Sequence, residues 1–190
     1  MRRVVGESVS RAGNPFRLKR GKMEALYFIS FFVFAIYTTI VIKMHGIPSS
    51  ISRTYYLLKD GGKKKDSLWA SAFTLFCWAV AFTLMPFWLD LKANDTDFLI
   101  FIACGALGLV GTAPAFMEKF ERKIHNAGAW ACFLAAYAWL ILHGNIAVAI
   151  AATIALVLVY LFVKENRVFW LEGVAFAAIY LALGVELTIT

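Results

Sequence analysis

The sequence predicts an all-α integral membrane protein, a six-transmembrane-helix bundle with a short interfacial helix between spans 1 and 2. Three observations predict this fold. Of the 190 residues, 61% are hydrophobic and only 16% are charged, whereas soluble domains are about 45–50% apolar and about 25% charged. Six apolar runs approach the roughly 20 residues that cross a hydrocarbon core. The runs also lack the alternation of a β-barrel, and backbone groups in lipid require helices or a closed barrel.

The ends of the six runs are marked by charged residues, Pro, Gly or Asn, as expected for transmembrane helices. Only His143, Gly144 and Asn145 separate the fourth run from the fifth, which predicts a tight antiparallel hairpin. The spans are expected at residues 25–44, 68–91, 98–117, 128–142, 146–163 and 169–187.

Lysine and arginine are concentrated in the loops that follow the first, third and fifth runs. These three loops hold 11 basic residues, whereas the opposite loops hold Lys92 and several acids. Loops rich in Lys and Arg stay in the cytoplasm. The loops therefore predict a multi-pass protein of a bacterial inner membrane with both termini outside.

The N-terminal tail, residues 1–22, contradicts this orientation because it carries seven basic residues and one acid. Either the tail inverts the topology or it is not part of the working protein. The second interpretation is favoured because Met23 directly precedes the first run, and a start there would lower the formal net charge from +7 to +1. We therefore expect a basic tail over residues 1–22, either a non-native start or a disordered arm on anionic headgroups, and a transmembrane domain over residues 23–190.

The segment HGIPSSISRTYYLL follows the first run and predicts a short helix that begins near Pro48 with a serine cap. Ile51, Tyr55 and Leu58 recur at helical spacing and form an apolar stripe, which is typical of a helix in the headgroup plane. Basic residues in and after it are expected to bind anionic lipid headgroups: Arg53, Lys59, Lys63, Lys64 and Lys65. A sharper interpretation makes a headgroup or peptide ledge of Ser49, Ser50, Ser52, Arg53, Tyr55 and Tyr56.

Three segments carry a resemblance: IPSSISRTYYLL, MPFW at the end of the second run, and KIHNAGA before the fourth. Together they resemble a group of small six-span bacterial membrane proteins with no assigned activity. The likeness covers most of the chain after Met23. It implies a six-helix fold and transfers no catalytic residue.

The sequence contains no His-Glu-x-x-His, Gly-x-Ser-x-Gly, P-loop or Cys-x-x-Cys motif, which argues against a zincin, a serine hydrolase, an NTPase and a zinc ribbon. A ceramidase-type metal site would need all three histidines, yet His45 and His125 are predicted inside and His143 outside. We therefore expect no metal, no other cofactor and no nucleic-acid partner, and a non-enzymatic role is favoured while enzyme activity stays open.

Two polar groupings remain. Glu172 stands just inside the sixth run, where an acid is costly unless it is paired or hydrated. It is either an interfacial residue at a helix start or a proton or cation site paired with His125 or Arg167. The inner grouping comprises His45, Glu121, His125 and Glu172, and an acidic outer rim comprises Asp90, Asp95, Asp97, His143 and Glu186.

Gly105, Gly108 and Gly111 recur every three residues in the third run and predict a helix-packing face. The alternative is a substrate passage near Pro114. The same face is expected to support a homo-oligomer.

These patterns favour a non-enzymatic membrane binding or assembly protein. The alternative is a small proton- or cation-linked transporter or channel, and a second alternative is a lipid-active membrane hydrolase. A water-filled cavity that reaches Glu172 would favour transport, whereas a dry and tightly packed bundle would favour assembly.

Overall fold

The computed structural model describes residues 20–60, 71–91, 96–113 and 119–189, and every regular element within these ranges is an α-helix. The helices are α1 (Arg20–His45), α2 (Thr54–Asp60), α3 (Ala72–Leu91), α4 (Asp97–Thr112), α5 (Lys119–Leu142), α6 (Ile146–Phe162) and α7 (Arg167–Ile189).

Helices α1, α3, α5 and α7 are long and apolar enough to cross a membrane. Helices α4 and α6 are also apolar but have only 16 and 17 residues. Large apolar side chains such as Phe32, Phe82 and Ile150 are exposed on the outer surface. Because water-soluble proteins rarely expose extensive apolar surface, these are the helices of a membrane protein.

The apolar helices α1 and α3 to α7 alternate in direction along the chain, so that helices adjacent in sequence are antiparallel. Helix α1 packs against α3, α4 lies between α3 and α5, and α6 pairs with α7. The hydroxyls of Tyr27 and Ser30 join α1 to Tyr180 on α7. The amide of Phe169 at the start of α7 donates a hydrogen bond to the carbonyl of Ser49 after α1, at 3.1 Å. We call this end of the bundle the basic end, because it contains Lys43, Arg53, Lys119, Arg122, Lys123, Lys164 and Arg167.

Helix α5 begins nine residues earlier than the fourth predicted span. Its first turns are charged on one side, with Arg122 and Lys123 exposed, while His125 and Gly128 are buried on the other. Hydropathy alone missed this amphipathic start, because the charged residues lower the average without disturbing the buried face.

Two further helix ends differ from the predicted spans. Helix α4 ends at Thr112 rather than at residue 117, since Pro114 disfavours helical dihedral angles at Ala113, whose φ and ψ are −109° and 56°. Helix α1 begins at Arg20, so the division expected after residue 22 falls inside a helix, and Met23 is buried. Residues 1–19 of the predicted tail lie outside the described ranges.

The predicted hairpin between α5 and α6 is confirmed. Gly144 adopts a φ of +86°, which glycine tolerates without strain. The amide of Asn145 bonds to the carbonyl of Leu140 at 2.9 Å and closes the turn.

Candidate functional site

A cavity of about 610 Å³ lies inside the bundle, within the range of about 300–1,000 Å³ for small-molecule sites. Its walls come from helices α3 to α7, and Ile51 and Ser52 contribute at the basic end. The wall is mostly apolar, with side chains such as Phe76, Leu107 and Ile179. The helices therefore surround a space suited to a hydrocarbon group.

The cavity is elongated along the bundle axis. Its lining extends from Phe73 to Trp88 on α3 and from Asn126 to Leu140 on α5. At a rise of about 1.5 Å per residue, each stretch is about 20 Å long. This length exceeds half of a hydrocarbon core of about 30 Å.

The cavity opens sideways between α5 and α6. Lining residues on α3 and α4 such as Cys77 and Cys104 are buried, whereas Trp130 on α5 is 64% exposed and Val157 and Tyr160 on α6 are 49% and 60% exposed. These exposed residues lie in the half of each helix nearer the basic end. We call this laterally open cavity the groove.

Farther from the basic end, a polar contact joins α5 to α6. The hydroxyl of Tyr137 donates a hydrogen bond to the carbonyl of Ala149 at 3.1 Å and also hydrogen-bonds the hydroxyl of Thr153. Tyr137 and Thr153 both line the groove. The groove is therefore closed by this contact in one half and open in the other.

Glu172 lines the groove at the basic end and is half-buried. Its Oε2 accepts a hydrogen bond from the backbone amide of Ile51 at 2.5 Å. It is the single carboxylate among the described residues that line the groove. The polar end of the groove therefore presents a single carboxyl group.

The loop before α2 is docked onto the bundle. Ile51 and Leu58 are buried, and the hydroxyls of Tyr37 and Thr54 are hydrogen-bonded to each other. The predicted apolar stripe thus contacts the protein interior rather than lipid. Helix α2 begins at Thr54, later than predicted from Pro48, because the hydroxyl of Ser50 accepts a hydrogen bond from the amide of Arg53 at 3.0 Å and forms a preceding turn.

The predicted headgroup-binding residues are only partly described. The side chain of Arg53 is exposed, with its guanidinium 5.6 Å from the ring centre of Tyr56. Lys59 belongs to the last turn of α2. Lys63, Lys64 and Lys65 lie outside the described residues.

The three histidines occupy different places. His125 is buried, and its Nδ1 lies 3.2 Å from the carbonyl oxygen of Ala113. His45 is exposed at the end of α1, and the ring of His143 stacks on Trp139 at 4.5 Å. His125 and His143 are about 27 Å apart along α5. Within the described ranges, no three His, Cys, Asp or Glu residues are arranged to hold a metal ion.

The predicted partners of Glu172 are engaged elsewhere. Arg167 donates from Nε to the carbonyl of Val163 at 2.9 Å, and its guanidinium lies 4.8 Å from the ring centre of Tyr160. His125 contacts Ala113, as described above. The carboxylate of Glu172 therefore binds the loop amide rather than either predicted side chain.

The remaining acids also differ from the two predicted groupings. Glu121 lies half-buried in the first turn of α5. Glu186 is buried and accepts a hydrogen bond from the amide group of Asn145 at 3.4 Å, so it lies within the α6–α7 pair rather than on an outer rim. Asp90 and Asp97 are half-buried at helix ends, and Asp95 lies outside the described residues.

The three glycines of α4 do not share one face. A Cβ on Gly111 would lie 2.7 Å from the Cβ of Cys77, whereas Gly105 and Gly108 have open space at that position. Three residues turn an α-helix by about 300°, so positions spaced by three shift around the helix by about 60° at each step. Gly111 is thus closely packed against α3, and a Cβ on an unpredicted glycine, Gly128 on α5, would lie 3.2 Å from the carbonyl oxygen of Ala106.

The sequence analysis missed Tyr137 and Thr153. Both were hidden in alanine-rich runs that predict tight packing. The sequence did contain a signal. Tyr137 lies seven residues before Gly144 and Thr153 lies nine residues after it, so the two residues face each other across the hairpin.

Fold and groove together define the class, a helical membrane protein with an internal apolar groove. Comparison with protein-family models, curated proteins and solved structures gave no match for this chain. Its function is therefore argued from the geometry of the groove.

Proposed function

We propose that this chain is a six-span protein of a bacterial inner membrane that binds one amphiphilic membrane molecule in the groove. The observation that carries the proposal is an apolar groove about 20 Å long that opens between α5 and α6 and has Glu172 at its polar end. This is a binding function without a catalytic step.

Six crossings are supported by the packing of the two shorter helices. Helices α4 and α6 are about 24 Å and 26 Å long. Thr74 on α3 donates a hydrogen bond to the carbonyl of Gly111 at 2.8 Å, and Trp78 donates to Gly108 at 3.2 Å. Helix α4 thus runs antiparallel along α3. Both contacts agree with the requirement that backbone hydrogen-bonding groups in lipid find their partners within the protein.

The charge distribution supports a cytoplasmic basic end. Exposed basic side chains there include Arg53, Lys123 and Lys164. Such residues attract anionic headgroups by about 1 kcal/mol each. We therefore propose anionic lipids as partners of this surface, which is separate from the groove.

An amphiphile fits the groove better than a fully apolar or a fully polar ligand. Side chains such as Phe76 and Leu107 offer no hydrogen bonds to a polar molecule. A hydrocarbon molecule, in turn, would leave the carboxylate of Glu172 next to apolar groups, which is unfavourable. A lipid can enter sideways and keep its headgroup at the basic end.

Photo-crosslinking of a lipid tests this proposal. The protein would be placed in nanodiscs containing a phospholipid with a diazirine near the end of one acyl chain. We expect adducts on groove peptides that contain Trp88 and Leu140. In the variant Ala175→Phe, which fills the groove, labelling there should fall about tenfold, whereas Ala177→Phe on the exposed side of α7 is the matched control. Labelling confined to outward-facing residues such as Phe82 would refute the groove as a lipid site.

Proton- or cation-linked transport is a second candidate, and the position of Glu172 in the groove wall favours it. A carboxylate within a membrane helix is a usual carrier of protons or cations. Proton or cation flux into liposomes should then stop in Glu172→Gln and persist in Glu165→Gln, whose side chain is exposed in wild type. Equal flux in protein-free liposomes would exclude this activity.

A homo-oligomer through α4 also remains a proposal. Gly105 faces open space next to the exposed side chains of Phe101 and Leu109. The mass of the detergent-solubilised particle would test it, and a monomer mass would contradict it.

A further inference from the structure

We infer that the groove selects a phospholipid with a primary ammonium headgroup, of the phosphatidylethanolamine type. The ammonium binds Glu172, the phosphate binds Arg167, and one acyl chain lies in the groove. The inference rests on the proposed lipid-binding function and specifies its ligand.

Glu172 is the acceptor for the ammonium. A carboxylate offers several acceptor positions, and the hydrogen bond from Ile51 occupies one of them at Oε2. That bond also fixes the orientation of the side chain. A charge at the edge of an apolar groove acts more strongly than in water, so it attracts a cationic group and repels an anionic headgroup or a fatty-acid carboxylate.

Arg167 supplies the opposite charge at the mouth of the groove. Its guanidinium lies over the ring of Tyr160, which lines the groove and is 60% exposed. The bond to Val163 uses the Nε donor, and the terminal amino groups of the guanidinium provide further donors. Arginine is well suited to phosphate because its donors form a planar fork.

The two charges match the order of groups in a zwitterionic headgroup. Arg167 and Glu172 are five residues apart on α7, which is a rise of about 7.5 Å and a rotation of about 140°. The guanidinium lies towards Tyr160 and the carboxylate towards Ile51, so the two groups would reach one headgroup from different sides. Both lie at the basic end, where the headgroups of one leaflet are found. Phosphatidylglycerol would place its phosphate at Arg167 but would offer Glu172 only a neutral glycerol and no ammonium.

The groove is long enough to hold one acyl chain over the depth of a leaflet. One leaflet contributes about half of a hydrocarbon core of about 30 Å, and the groove is about 20 Å long. The opening between Trp130 and Tyr160 leaves the second chain in the bilayer. A two-chain lipid can therefore bind without leaving the membrane completely.

Native mass spectrometry tests the headgroup preference. The purified protein in mild detergent would be incubated with equal amounts of phosphatidylethanolamine, phosphatidylcholine and phosphatidylglycerol that carry identical acyl chains. We expect about tenfold more retained phosphatidylethanolamine than phosphatidylglycerol, since charge-assisted hydrogen bonds are strong. Phosphatidylcholine should be intermediate, because its quaternary ammonium is cationic but has no N–H donor.

Variants then assign the preference to residues. Glu172→Gln keeps an acceptor for the amide of Ile51 but removes the charge, so retention of the ethanolamine and glycerol lipids should become equal within about twofold. Glu165→Gln, an exposed acid at the same end, should keep the wild-type ratio. Arg167→Gln should lower retention of all three phospholipids.

The outcomes separate this inference from the proposed function. Wild-type retention without a headgroup preference, or a preference that survives in Glu172→Gln, overturns the inference and leaves lipid binding intact. Absence of retained lipid, together with absence of groove crosslinks, overturns both. The wild-type comparison and the crosslink positions give an answer even if a variant fails to fold.

Discussion

The carboxylate of Glu172 on α7 accepts a hydrogen bond from the amide of Ile51 at 2.5 Å, although the two residues are 121 positions apart in the chain. This bond connects the loop before α2 to the wall of the groove. Glu172 therefore has two roles in our account: it holds the loop and it forms the polar end of the lipid site.

Replacement of Glu172 by alanine should loosen the loop. Loss of an ionised acceptor costs about 1.5–3 kcal/mol, so amide hydrogen exchange at Ile51 should increase at least about tenfold. Glu172→Gln should show a smaller increase because its side-chain carbonyl can accept the same bond. Unchanged exchange in Glu172→Ala would contradict the docking role.

The α3–α4 interface should not tolerate a side chain at Gly111. The Cβ of Gly111→Ala would lie 2.7 Å from the Cβ of Cys77, and such overpacking costs about 1–3 kcal/mol. Gly105→Ala is the matched control, since it enters open space and gains up to about 1 kcal/mol of helix propensity. Thermal unfolding in detergent measures both, and equal midpoints would argue against the interface.

A buried hydrogen bond should stabilise α1 against α7. The hydroxyls of Ser30 and Tyr180 lie 2.8 Å apart, and both side chains are buried. Ser30→Ala leaves the tyrosine hydroxyl without this partner and should lower the free energy of unfolding by about 1–2 kcal/mol. Thr38→Ala is the control because Thr38 bonds to carbonyls of its own helix, and a larger loss there would contradict the assignment.

Tyr137 should control how fast a lipid leaves the groove. Tyr137→Phe removes the hydrogen bonds to Ala149 and Thr153 that join α5 to α6. Their loss, about 1 kcal/mol, should raise the dissociation rate of a fluorescent phospholipid about fivefold. Tyr160→Phe, at the open half of the groove, serves as the control, and identical rates for the two variants would count against a closing role for Tyr137.

The sequence predicted the helices far better than it predicted their mutual arrangement. Hydropathy is a local property, so the predicted ends of α6 and α7 lie within two residues of the observed ends. It failed at the start of α5, where Arg122 and Lys123 mask the buried face that contains His125. Amphipathic periodicity, rather than average hydropathy, carried the information there.

The site was only half visible in the sequence. Glu172 stood out because an acid in an apolar run is costly, but its partner is a backbone amide, which no side-chain pattern can reveal. The groove depends on how closely α5 approaches α6, and alanine-rich runs predicted a tight contact there. The spacing of the α4 glycines predicted one shared face. A repeat of three departs from the helical period, so the three positions point in different directions.

The weak attachment of α6 has a consequence for the surrounding bilayer. Helix α6 packs mainly against α7 and exposes side chains such as Ile150 and Leu158, and at about 26 Å it is shorter than a typical hydrocarbon core. A thicker membrane would therefore tilt or shift α6 before it disturbed the better-packed helices. Membrane thickness should thus set the width of the lateral opening, so that lipid exchange would differ between short-chain and long-chain bilayers of the same headgroup composition.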